Sequence, residues 1–591
     1  MGNDEPGGPD SGAQGHRRAA DRLLLRMIRH VSLWIAVLAV AAVAGAVAET
    51  LLPATVGRTV DAMIAAAAGT RGAAGPRAAA WLAGSAGLVF AVAASGAVRQ
   101  LATGTSTAAS SAWLRRLLAG HVLRSGPRLL GRFPAGDTVG RLIGGAADAG
   151  AAPAAGVMAV AAVVPPVGSV LALALIDPWL AAAFCAGLPV LAVMLRIFVR
   201  DTSDVVHRYQ QAQGAIAARL LDALSGARTI AAAGTHDQEV ARVLGPLALV
   251  RRHGEATWRL QGRIVAQGSL IVPLLQVVVL AVAGLELARH RITPGELLAA
   301  GQYAVLGAGV GATIGQVNRL ARSRAGGRRI AEVLARPLTR YGTAGLPDGP
   351  GCLRFHGVTV RLGGESVLHA LDLVVPGGSA VAVVGRSGAG KTVLAELAGR
   401  LADPDEGEVT LDDVPLARLT RPDLRRAVVY AFERPALFGR TPREAIRFGA
   451  WCPGEEQVAS AARAARAHDF IGRLPAGPDT PLDDAPMSGG EVQRLGLARA
   501  FAHASEARLL VLDDATSSLD TVTEMQVSRA LTGELHGRTR LIVAHRARTA
   551  AGAQLVAWLD DGKLRALRPH HELWADPAYR AVFGYGSGDP R

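Results

Sequence analysis

The chain contains, directly after the apolar run Ala380–Val384, the stretch Gly385-Arg386-Ser387-Gly388-Ala389-Gly390-Lys391-Thr392. Its spacing fits the pattern G-x-x-x-x-G-K-[ST], in which glycines allow backbone N–H groups to turn toward phosphate oxygens. The lysine of this pattern neutralises the phosphates, and the Ser or Thr hydroxyl holds Mg²⁺. A strand-like run precedes the stretch and helix-compatible residues follow it, which is the context the pattern requires. We therefore predict that these residues and Val393 bind ATP.

Two further motifs follow in the order expected of a nucleotide-driven machine. Met487–Glu491 reads Met-Ser-Gly-Gly-Glu, and the apolar run Leu509–Leu512 ends in Asp513 and Asp514. A carboxylate at the end of a buried strand is a suitable ligand for Mg²⁺. His545 follows another apolar run, which makes it a stronger candidate for a site residue than an isolated histidine.

Length and composition divide the chain into two unlike parts. Its 591 residues exceed what one core normally supports, so at least two domains are expected. Residues 31 to about 320 contain long uncharged runs, whereas the remainder mixes charged and apolar residues as a soluble domain does. We predict a disordered tail at 1–20, a membrane domain at 21–325, a linker at 326–350 and a nucleotide-binding domain at 351–585.

The first part contains six charge-free runs long enough to cross about 30 Å of hydrocarbon. A soluble protein would have to bury all six as core helices, which is improbable for one half of a chain. The adjacent prolines 165 and 166 predict a kink in the third run. The runs are Val31–Ala48, Ala78–Val98, Ala149–Ile176, Pro178–Leu195, Ile264–Leu285 and Leu297–Asn318.

Charge placement favours a lipid bilayer as partner and gives no support for nucleic acid. The formal net charge is +14, and the arginines are dispersed before the first run and across the 99–148 loop. By contrast, the link between the third and fourth runs is little more than Asp177. We predict a multi-pass protein of the inner or plasma membrane with both termini and the nucleotide-binding domain in the cytoplasm. The isolated Cys185, Cys352 and Cys452 suggest neither disulfides nor a zinc site.

The two inward-facing links, at about 99–148 and 196–263, are longer than membrane geometry requires. We predict that each extends two membrane helices into the cytoplasm, with a turn at Gly136–Leu142 in the first and at Leu220–Arg228 in the second. Solvated hairpins without a partner are the alternative. The functional interpretation is that they transmit ATP energy to the membrane through packed structure.

Taken together, these features resemble a half-transporter of the ABC exporter superfamily: a six-helix membrane domain followed by an α/β P-loop ATPase domain. The resemblance implies a dimer in which two ATP molecules, with Mg²⁺, each lie between one chain's P-loop and the other chain's signature motif. Thr392 and Asp513 would lie at Mg²⁺, and His545 would be the switch histidine. The signature corresponds to Ser488, Gly489 and Gly490, and the linking D-loop ends in Asp520.

Three positions depart from the family pattern. Asp514 stands where the catalytic glutamate is usual, which predicts impaired base geometry and slow hydrolysis. Glu433 stands in place of the Q-loop glutamine, where a carboxylate binds Mg²⁺ but repels phosphate in its absence. Leu362 replaces an adenine-stacking aromatic residue, although Arg361 offers an alternative stacking surface.

We therefore expect ATP-driven export of a hydrophobic or amphiphilic substrate, such as a peptide, lipid or drug-like molecule. A weakened base beside a good signature predicts a heterodimer with a second half-transporter, with homodimerisation as the alternative. A weakly hydrolysing regulatory subunit, and an importer built on the exporter fold, also stay open. Glu49 and Glu286 lie near the ends of apolar runs, where solvation at the membrane edge is the simpler explanation of both.

Overall fold

A computed structural model describes residues 21–67, 74–126, 133, 135–362, 364–533 and 537–584. The predicted tail at 1–20 lies outside these residues. Two compact units are present: the described residues of 1–121 and 135–336 form a membrane unit, and those of 122–134 and 337–591 form a nucleotide-binding unit. The predicted boundaries at 325 and 350 stay predictions.

The membrane unit is helical, because its Ala-, Val- and Leu-rich runs satisfy backbone hydrogen bonds within each segment, as a bilayer requires. Residues 21–30 are helical. One π-helical turn, Arg141–Gly145, joins α3 to α4. The named helices are α1 (Ser32–Ala67), α2 (Ala74–Ser125), α3 (Ala135–Gly140), α4 (Ala146–Gly150), α5 (Ala152–Ala161), α6 (Val164–Ile176), α7 (Pro178–Ser225), α8 (Ala227–Ala233), α9 (His236–Leu244), α10 (Leu247–Ala288), α11 (Pro294–Gly307) and α12 (Val310–Leu334).

Within the described residues, four helical segments are long and apolar enough to cross a membrane: Ser32–Ala67, Gly75–Ser125, Gly136–Ile176 and Ser269–Ala288. A shorter apolar helical stretch covers Pro178–Pro189. The predicted count of six is therefore not confirmed. The run predicted at Leu297–Asn318 is divided between α11 and α12 at Ala308 and Gly309.

At two connections in this unit, one or two residues determine where the next helix begins. The kink predicted at prolines 165 and 166 is a break, because α5 ends at Ala161 and α6 begins with these prolines in its first turn. Asp177 caps α7 by accepting a hydrogen bond from the backbone N–H of Trp179 at 2.8 Å.

The turn predicted at Gly136–Leu142 is wrong, because these residues lie in α3 and in the following π-helical turn. The guanidinium of Arg141 pairs with Asp137 at 2.8 Å and with Glu332 of α12 at 2.8 Å. These side-chain contacts stabilise a helical conformation that the glycines alone do not favour. Of the turn predicted at Leu220–Arg228, only a break at Gly226 is present, since α7 continues to Ser225 and α8 begins at Ala227.

The nucleotide-binding unit combines two sheets with short helices. Its strands are β1 (Leu353–Leu362), β2 (Glu365–Val375), β3 (Ala380–Val384), β4 (Glu406–Leu411), β5 (Val414–Pro415), β6 (Val428–Phe432), β7 (Leu509–Asp513), β8 (Thr539–Val543), β9 (Leu555–Asp560) and β10 (Lys563–Arg568). Its helices are α13 (Lys391–Ala398), α14 (Arg421–Ala427), α15 (Pro442–Arg447), α16 (Glu455–Ala464), α17 (His468–Gly472), α18 (Gly489–Ala504), α19 (Thr521–Gly533), α20 (Ala547–Ala551), α21 (His570–Leu573) and α22 (Pro577–Val582).

The larger sheet has the order β10-β9-β3-β8-β7-β6, in which β9, β3, β8, β7 and β6 run parallel and β10 is antiparallel. The smaller sheet, β2-β1-β4-β5, is antiparallel. Alternate residues of β3 face two different cores: Val381 and Val383 pack in one, and Ala380 and Ala382 in the other. A strand buried on both faces reads as a continuous apolar run, which is why the sequence before the P-loop is uniformly hydrophobic.

Candidate functional site

Four neighbouring parallel strands deliver the predicted site residues to one edge of the larger sheet. Val543 of β8 pairs with Val383 of β3 on one side and with Asp513 of β7 on the other. Phe432 of β6 pairs with Asp513. Because the carboxyl ends of parallel strands meet at the same edge, the segments that follow these strands converge. The structure thus brings together the P-loop, His545, the Asp513–Asp514 pair and Glu433.

The P-loop conformation depends on glycine. Gly390 has φ of +90° and directly precedes α13, and a Cβ atom there would lie 2.7 Å from Leu368 Cδ2. Gly388 has φ of +86°, but a Cβ atom there would meet open space. Residues with a side chain rarely adopt these angles. The loop therefore exposes backbone N–H groups at the start of a helix, where phosphate binds favourably.

Lys391 is 6% exposed, and its Nζ donates to the carbonyl oxygens of Gly385 at 2.9 Å and Arg386 at 3.0 Å. Burial lowers the pKa of this ammonium, while the charges of Asp514 and Asp513 act in the opposite direction. A buried cation satisfied only by carbonyl oxygens has capacity for an anionic ligand. This geometry fits the phosphate groups of ATP.

The two aspartates at this sheet edge, Asp513 and Asp514, have raised pKa values. Burial raises the pKa of Asp513, and the charges of Asp514 and Glu433 raise it further. The pKa of Asp514 is also raised, first by burial, with His545 opposing and Glu433 reinforcing the shift. The Thr392 side chain and the charge of His545 act in the opposite direction on the pKa of Asp513. Such mutually repelling carboxylates are stabilised by a cation, and hydroxyl and carboxylate oxygens are the donors that Mg²⁺ prefers.

Among the described residues, no group of three His, Cys, Asp or Glu side chains could hold a metal ion. A site for Mg²⁺ at this edge therefore needs oxygen ligands from the phosphates of the nucleotide, as is usual for this ion. Thr392 and Asp513 are the residues whose contact fits that arrangement. Glu433 is exposed, and its carboxylate lies 3.6 Å from the guanidinium of the adjacent Arg434.

The signature residues begin α18 on the surface of the unit. Ser488 is the N-cap, and its hydroxyl accepts from the N–H of Glu491 at 3.3 Å. The Glu491 carboxylate in turn accepts from the Ser488 N–H at 2.8 Å, which forms a capping box. The backbone hydrogen bond from Ser488 lowers the pKa of Glu491, and the Ser488 hydroxyl contributes in the same direction. Ser488 and Gly489 are exposed, as a motif that contacts a second chain would require.

Sequence reasoning missed Gln493, which lies on α18 and is 1% exposed. Its Nε2 lies 3.0 Å from the Glu433 carbonyl oxygen, 3.3 Å from that of Asp514 and 3.1 Å from Ser517 Oγ. Its Oε1 accepts from the Ser518 N–H at 2.9 Å. One buried amide thus joins the signature helix to two loops of the site, the loop after β6 and the loop after β7. Its chain neighbours, Val492 and Arg494, give no local signal of this role.

The segments after Asp514 and His545 are also held by side chains. Asp520 caps α19 by accepting from the N–H groups of Val522 and Thr523, each at 3.0 Å. These bonds and the Thr523 hydroxyl, whose contribution is the largest, lower the pKa of Asp520. Arg546, beside the exposed His545, pairs with Glu524 of α19.

Leu362 lies on the smaller sheet, whereas the converging residues described above follow strands of the larger sheet. It ends β1 and is 57% exposed. The guanidinium of Arg361 donates to Glu406 at 2.6 Å. The alternative stacking surface predicted at Arg361 is therefore engaged in an ion pair.

The two glutamates singled out in the membrane unit have different surroundings. Glu286 is 3% exposed and is held by Arg289 at 2.8 Å and Arg291 at 3.1 Å, both of which are exposed. Glu49 has a single longer contact, 3.4 Å from the guanidinium of Arg99. The first arrangement is a satisfied ion cluster, whereas the second leaves donor and acceptor capacity unused.

Comparison with known families covers both units. Residues 35–306 match the ABC transporter transmembrane region, and residues 368–517 match the ABC transporter domain. The chain is 52% identical over 487 residues to the ABC transporter ATP-binding protein RamA of Streptomyces coelicolor, covering 82% of this chain and 76% of that protein. It is 33% identical over 413 residues to the ATP-dependent lipid A-core flippase of Chromohalobacter salexigens, covering 68% and 70%.

A solved structure shares the architecture of both units. A bacterial Atm1-family ABC exporter with ATP bound matches with a TM-score of 0.76, covering 95% of this chain and 99% of that one. The sequence identity is 22%, so the similarity concerns the fold.

Proposed function

Because this chain belongs to the ABC transporter family, we propose that it forms one half of a heterodimeric exporter with two unequal ATP sites. Family membership makes it a multi-pass membrane protein that couples ATP hydrolysis to transport. It has the fold of an ABC exporter, with a helical membrane domain followed by an α/β nucleotide-binding domain. The inequality of the sites and the identity of the partner are our proposal.

The observation that carries the proposal is the position of Asp514 at the end of β7, beside the P-loop and His545. A general base must lie within hydrogen-bond reach of the water it activates. Aspartate is one methylene shorter than the family's glutamate, which withdraws the carboxylate by about 1.5 Å. Asp514 also has φ of +49°, a conformation that aspartate tolerates better than most residues. Hydrolysis at this chain's own P-loop is therefore slow.

The signature supports a partner with a stronger base. The exposed start of α18, from Ser488 to Gly490, directs backbone N–H groups and the positive end of the helix dipole outward. Placed against the γ-phosphate of the partner's ATP, it completes the partner's site. The partner is a second half-transporter that carries glutamate at the position of Asp514.

Within this chain's own site the side chains act mainly by position and charge. Lys391 would neutralise phosphate oxygens, Thr392 and Asp513 would hold Mg²⁺, and His545 would contact the γ-phosphate. Mg²⁺ supplies positive charge that offsets the negative charge developing on the phosphoryl oxygens. Glu433, a carboxylate where an amide is usual, makes nucleotide binding more dependent on Mg²⁺.

The transported substrate is hydrophobic or amphiphilic. Support comes from the predominantly apolar side chains of the membrane helices. Further support is the similarity to a lipid A-core flippase, a protein named for an amphiphilic lipid. Both termini and the nucleotide-binding unit face the cytoplasm, in agreement with the arginine distribution and with the supply of ATP.

The test is the Mg²⁺-dependent ATPase rate of the full chain in lipid, alone and with a candidate partner half-transporter. Native chain, Asp514→Glu and the isosteric Asp514→Asn are compared. We expect the lone chain to be nearly inactive, activity to appear with the partner, and Asp514→Glu to add a second working site. Asp514→Asn should leave the partner's site active.

Brisk hydrolysis by the lone native chain, with little change on Asp514→Glu, would instead indicate a homodimer with two working sites. Activity of the pair that is unchanged by Asp514→Glu would point to a regulatory subunit that binds ATP without turnover. ATP-dependent movement of an amphiphile toward the cytoplasmic face of the membrane, instead of away from it, would identify an importer.

A further inference from the structure

The membrane unit contains a cavity of about 280 Å³ whose lining is apolar except for three polar side chains. Glu49 comes from α1, Arg99 from α2 and Gln316 from α12. The rest of the lining consists of small and apolar residues such as Ala161, Pro165 and Leu306. Charged side chains within membrane segments are expensive to retain, so their presence in a cavity calls for a function.

The ion pair in this cavity is loosely made. Arg99 Nη2 lies 3.4 Å from Glu49 Oε1, whereas charge-assisted hydrogen bonds are typically about 2.7–2.9 Å. Among the contacts of the described residues, this is the single ion-pair contact of either side chain. A guanidinium has five donors and a carboxylate has about four acceptor sites, so most of their capacity is unused.

Gln316 adds a second, independent observation. Its Oε1 atom is buried and has no hydrogen-bond partner in the described structure. Buried polar atoms are nearly always paired, and each exception needs an explanation. An acceptor without a donor in the same cavity as the loose ion pair is explained by a ligand that carries the donor.

The same unit shows what a structural ion cluster looks like. Glu286 is held by two arginines at 2.8 and 3.1 Å and is 3% exposed, so its carboxylate is satisfied within the fold. The Glu49 and Arg99 side chains are 30% and 23% exposed and remain accessible from the cavity. The difference separates a group used for stability from groups available for binding.

We propose that Glu49, Arg99 and Gln316 bind the zwitterionic head group of an amphiphilic substrate. An ammonium group is recognised by the carboxylate of Glu49 and by Gln316 Oε1, which are both acceptors. The acidic group is recognised by the unused donors of Arg99. The volume suits a head group, since sites for whole drug-sized ligands are about 300–1,000 Å³. This inference rests on the proposed export function and names the class of its substrate.

The test measures binding without ATP, so that it does not depend on hydrolysis or on a partner. The full chain in detergent is titrated with dodecyl phosphoethanolamine, dodecyl phosphate and dodecylamine, which share one tail and differ in head-group charge. We expect the zwitterion to bind at least about tenfold more tightly than dodecyl phosphate or dodecylamine, each of which carries charge of one sign, since one added charge-assisted contact is worth that much. Equal affinities for the three compounds would overturn the proposal.

Variants locate the site. Glu49→Gln and Arg99→Gln should each raise the Kd for the zwitterion by about tenfold or more, and Gln316→Leu by a smaller factor. Glu286→Gln, a matched control outside the cavity, should leave the Kd unchanged. If Glu49→Gln fails to fold, Gln316→Leu and the three-compound series on the native chain still decide the question. An unchanged Kd in Gln316→Leu together with equal affinities for the three compounds would exclude a head-group site here.

The outcome is separable from that of the export proposal. Zwitterion-selective binding that Glu49→Gln abolishes, without ATP-dependent movement of any amphiphile in vesicles, would sustain the site and contradict export. Movement of an amphiphile without selective binding would sustain export and contradict the site.

Discussion

The side-chain nitrogen of Gln493 lies 3.3 Å from the carbonyl oxygen of Asp514. The same atom lies 3.0 Å from the carbonyl of Glu433, so one amide on the signature helix fixes two backbone positions beside the P-loop. Gln493 thereby connects the surface that a partner chain would contact with the site where this chain's ATP would bind. Asp514 is therefore held both by this contact and by the strand that precedes it.

In the pair that carries Asp514→Glu, in which both sites are expected to work, replacing Gln493 by alanine should reduce the activity added by that substitution by about tenfold or more, because residues 433 and 514 lose the amide that positions them. Leaving buried backbone groups unpaired should also destabilise the nucleotide-binding unit by about 1–3 kcal/mol. The measurement is kcat and the KM for ATP. A positioning role predicts a fall in kcat with KM nearly constant.

The control is Gln493→Glu, which keeps the acceptor for the Ser518 N–H but removes both amide donors. It should behave like Gln493→Ala in kcat. Native kcat in Gln493→Glu would show that the donors to Glu433 and Asp514 do not matter.

Substitution of two P-loop glycines by alanine should separate backbone strain from steric clash. Gly390→Ala combines a φ of +90° with a Cβ atom 2.7 Å from Leu368, whereas Gly388→Ala meets open space at φ of +86°. We expect Gly388→Ala to destabilise the nucleotide-free unit by about 1–2 kcal/mol, and Gly390→Ala by more. Calorimetry of the whole chain without nucleotide makes the comparison. Equal losses in the two variants would contradict the contact with Leu368.

The capping box at the signature predicts a pH effect. Hydrogen bonds from Ser488 lower the folded-state pKa of Glu491 below its ordinary value of 4.5. A carboxylate with a depressed pKa stabilises the fold fully above its unfolded pKa and loses that contribution as pH falls through the folded pKa. The Tm advantage of the native chain over Glu491→Gln should therefore shrink as pH falls below 4.5.

Glu491→Gln is a suitable comparison, because glutamine also completes a capping box but does not ionise. Thermal unfolding of both proteins between pH 7 and pH 3 makes the measurement. A Tm difference that stays constant over this range would mean that the Glu491 charge contributes nothing to stability.

In the membrane unit, Asp61 joins the end of α1 to the start of α11. Its carboxylate accepts from the Thr293 hydroxyl at 2.6 Å and from the Gly295 N–H at 2.7 Å. Asp61→Ala should cost about 1–2 kcal/mol, as loss of a helix cap does, which is measurable as a lower Tm in detergent. Asp137→Ala, which removes a partly exposed ion-pair partner of Arg141, is the control and should change the Tm less. A larger effect at Asp137 would contradict this assignment.

The residues that meet at this edge of the larger sheet can be identified in the sequence because their determinants are local. Glycine spacing, an apolar strand and a following carboxylate each act within a few residues, and the parallel sheet then brings the strand ends together. Gln493 escaped prediction because its partners, Glu433 and Ser518, are distant in sequence. The helical conformation of Gly136–Leu142 escaped for a similar reason, since it depends on the contact of Arg141 with Glu332 far along the chain.

Hydropathy was a weaker guide to where helices end. The run Leu297–Asn318 is uniformly free of charge, yet the helix breaks after Gly307. There the Gly309 N–H bonds to the Leu306 carbonyl three residues back. A window average of side-chain polarity does not register a change in backbone hydrogen bonding.

That break gives the membrane unit a point of mechanical compliance. The half before it, α11, is fastened to α1 by Asp61, and the Tyr303 hydroxyl donates to the Thr50 carbonyl at 2.9 Å. Leu306 and Gly309 line the same cavity as Glu49. A small rotation at this point would change the dimensions of the cavity and leave the α1–α11 contact intact. Only a few backbone dihedral angles would have to change.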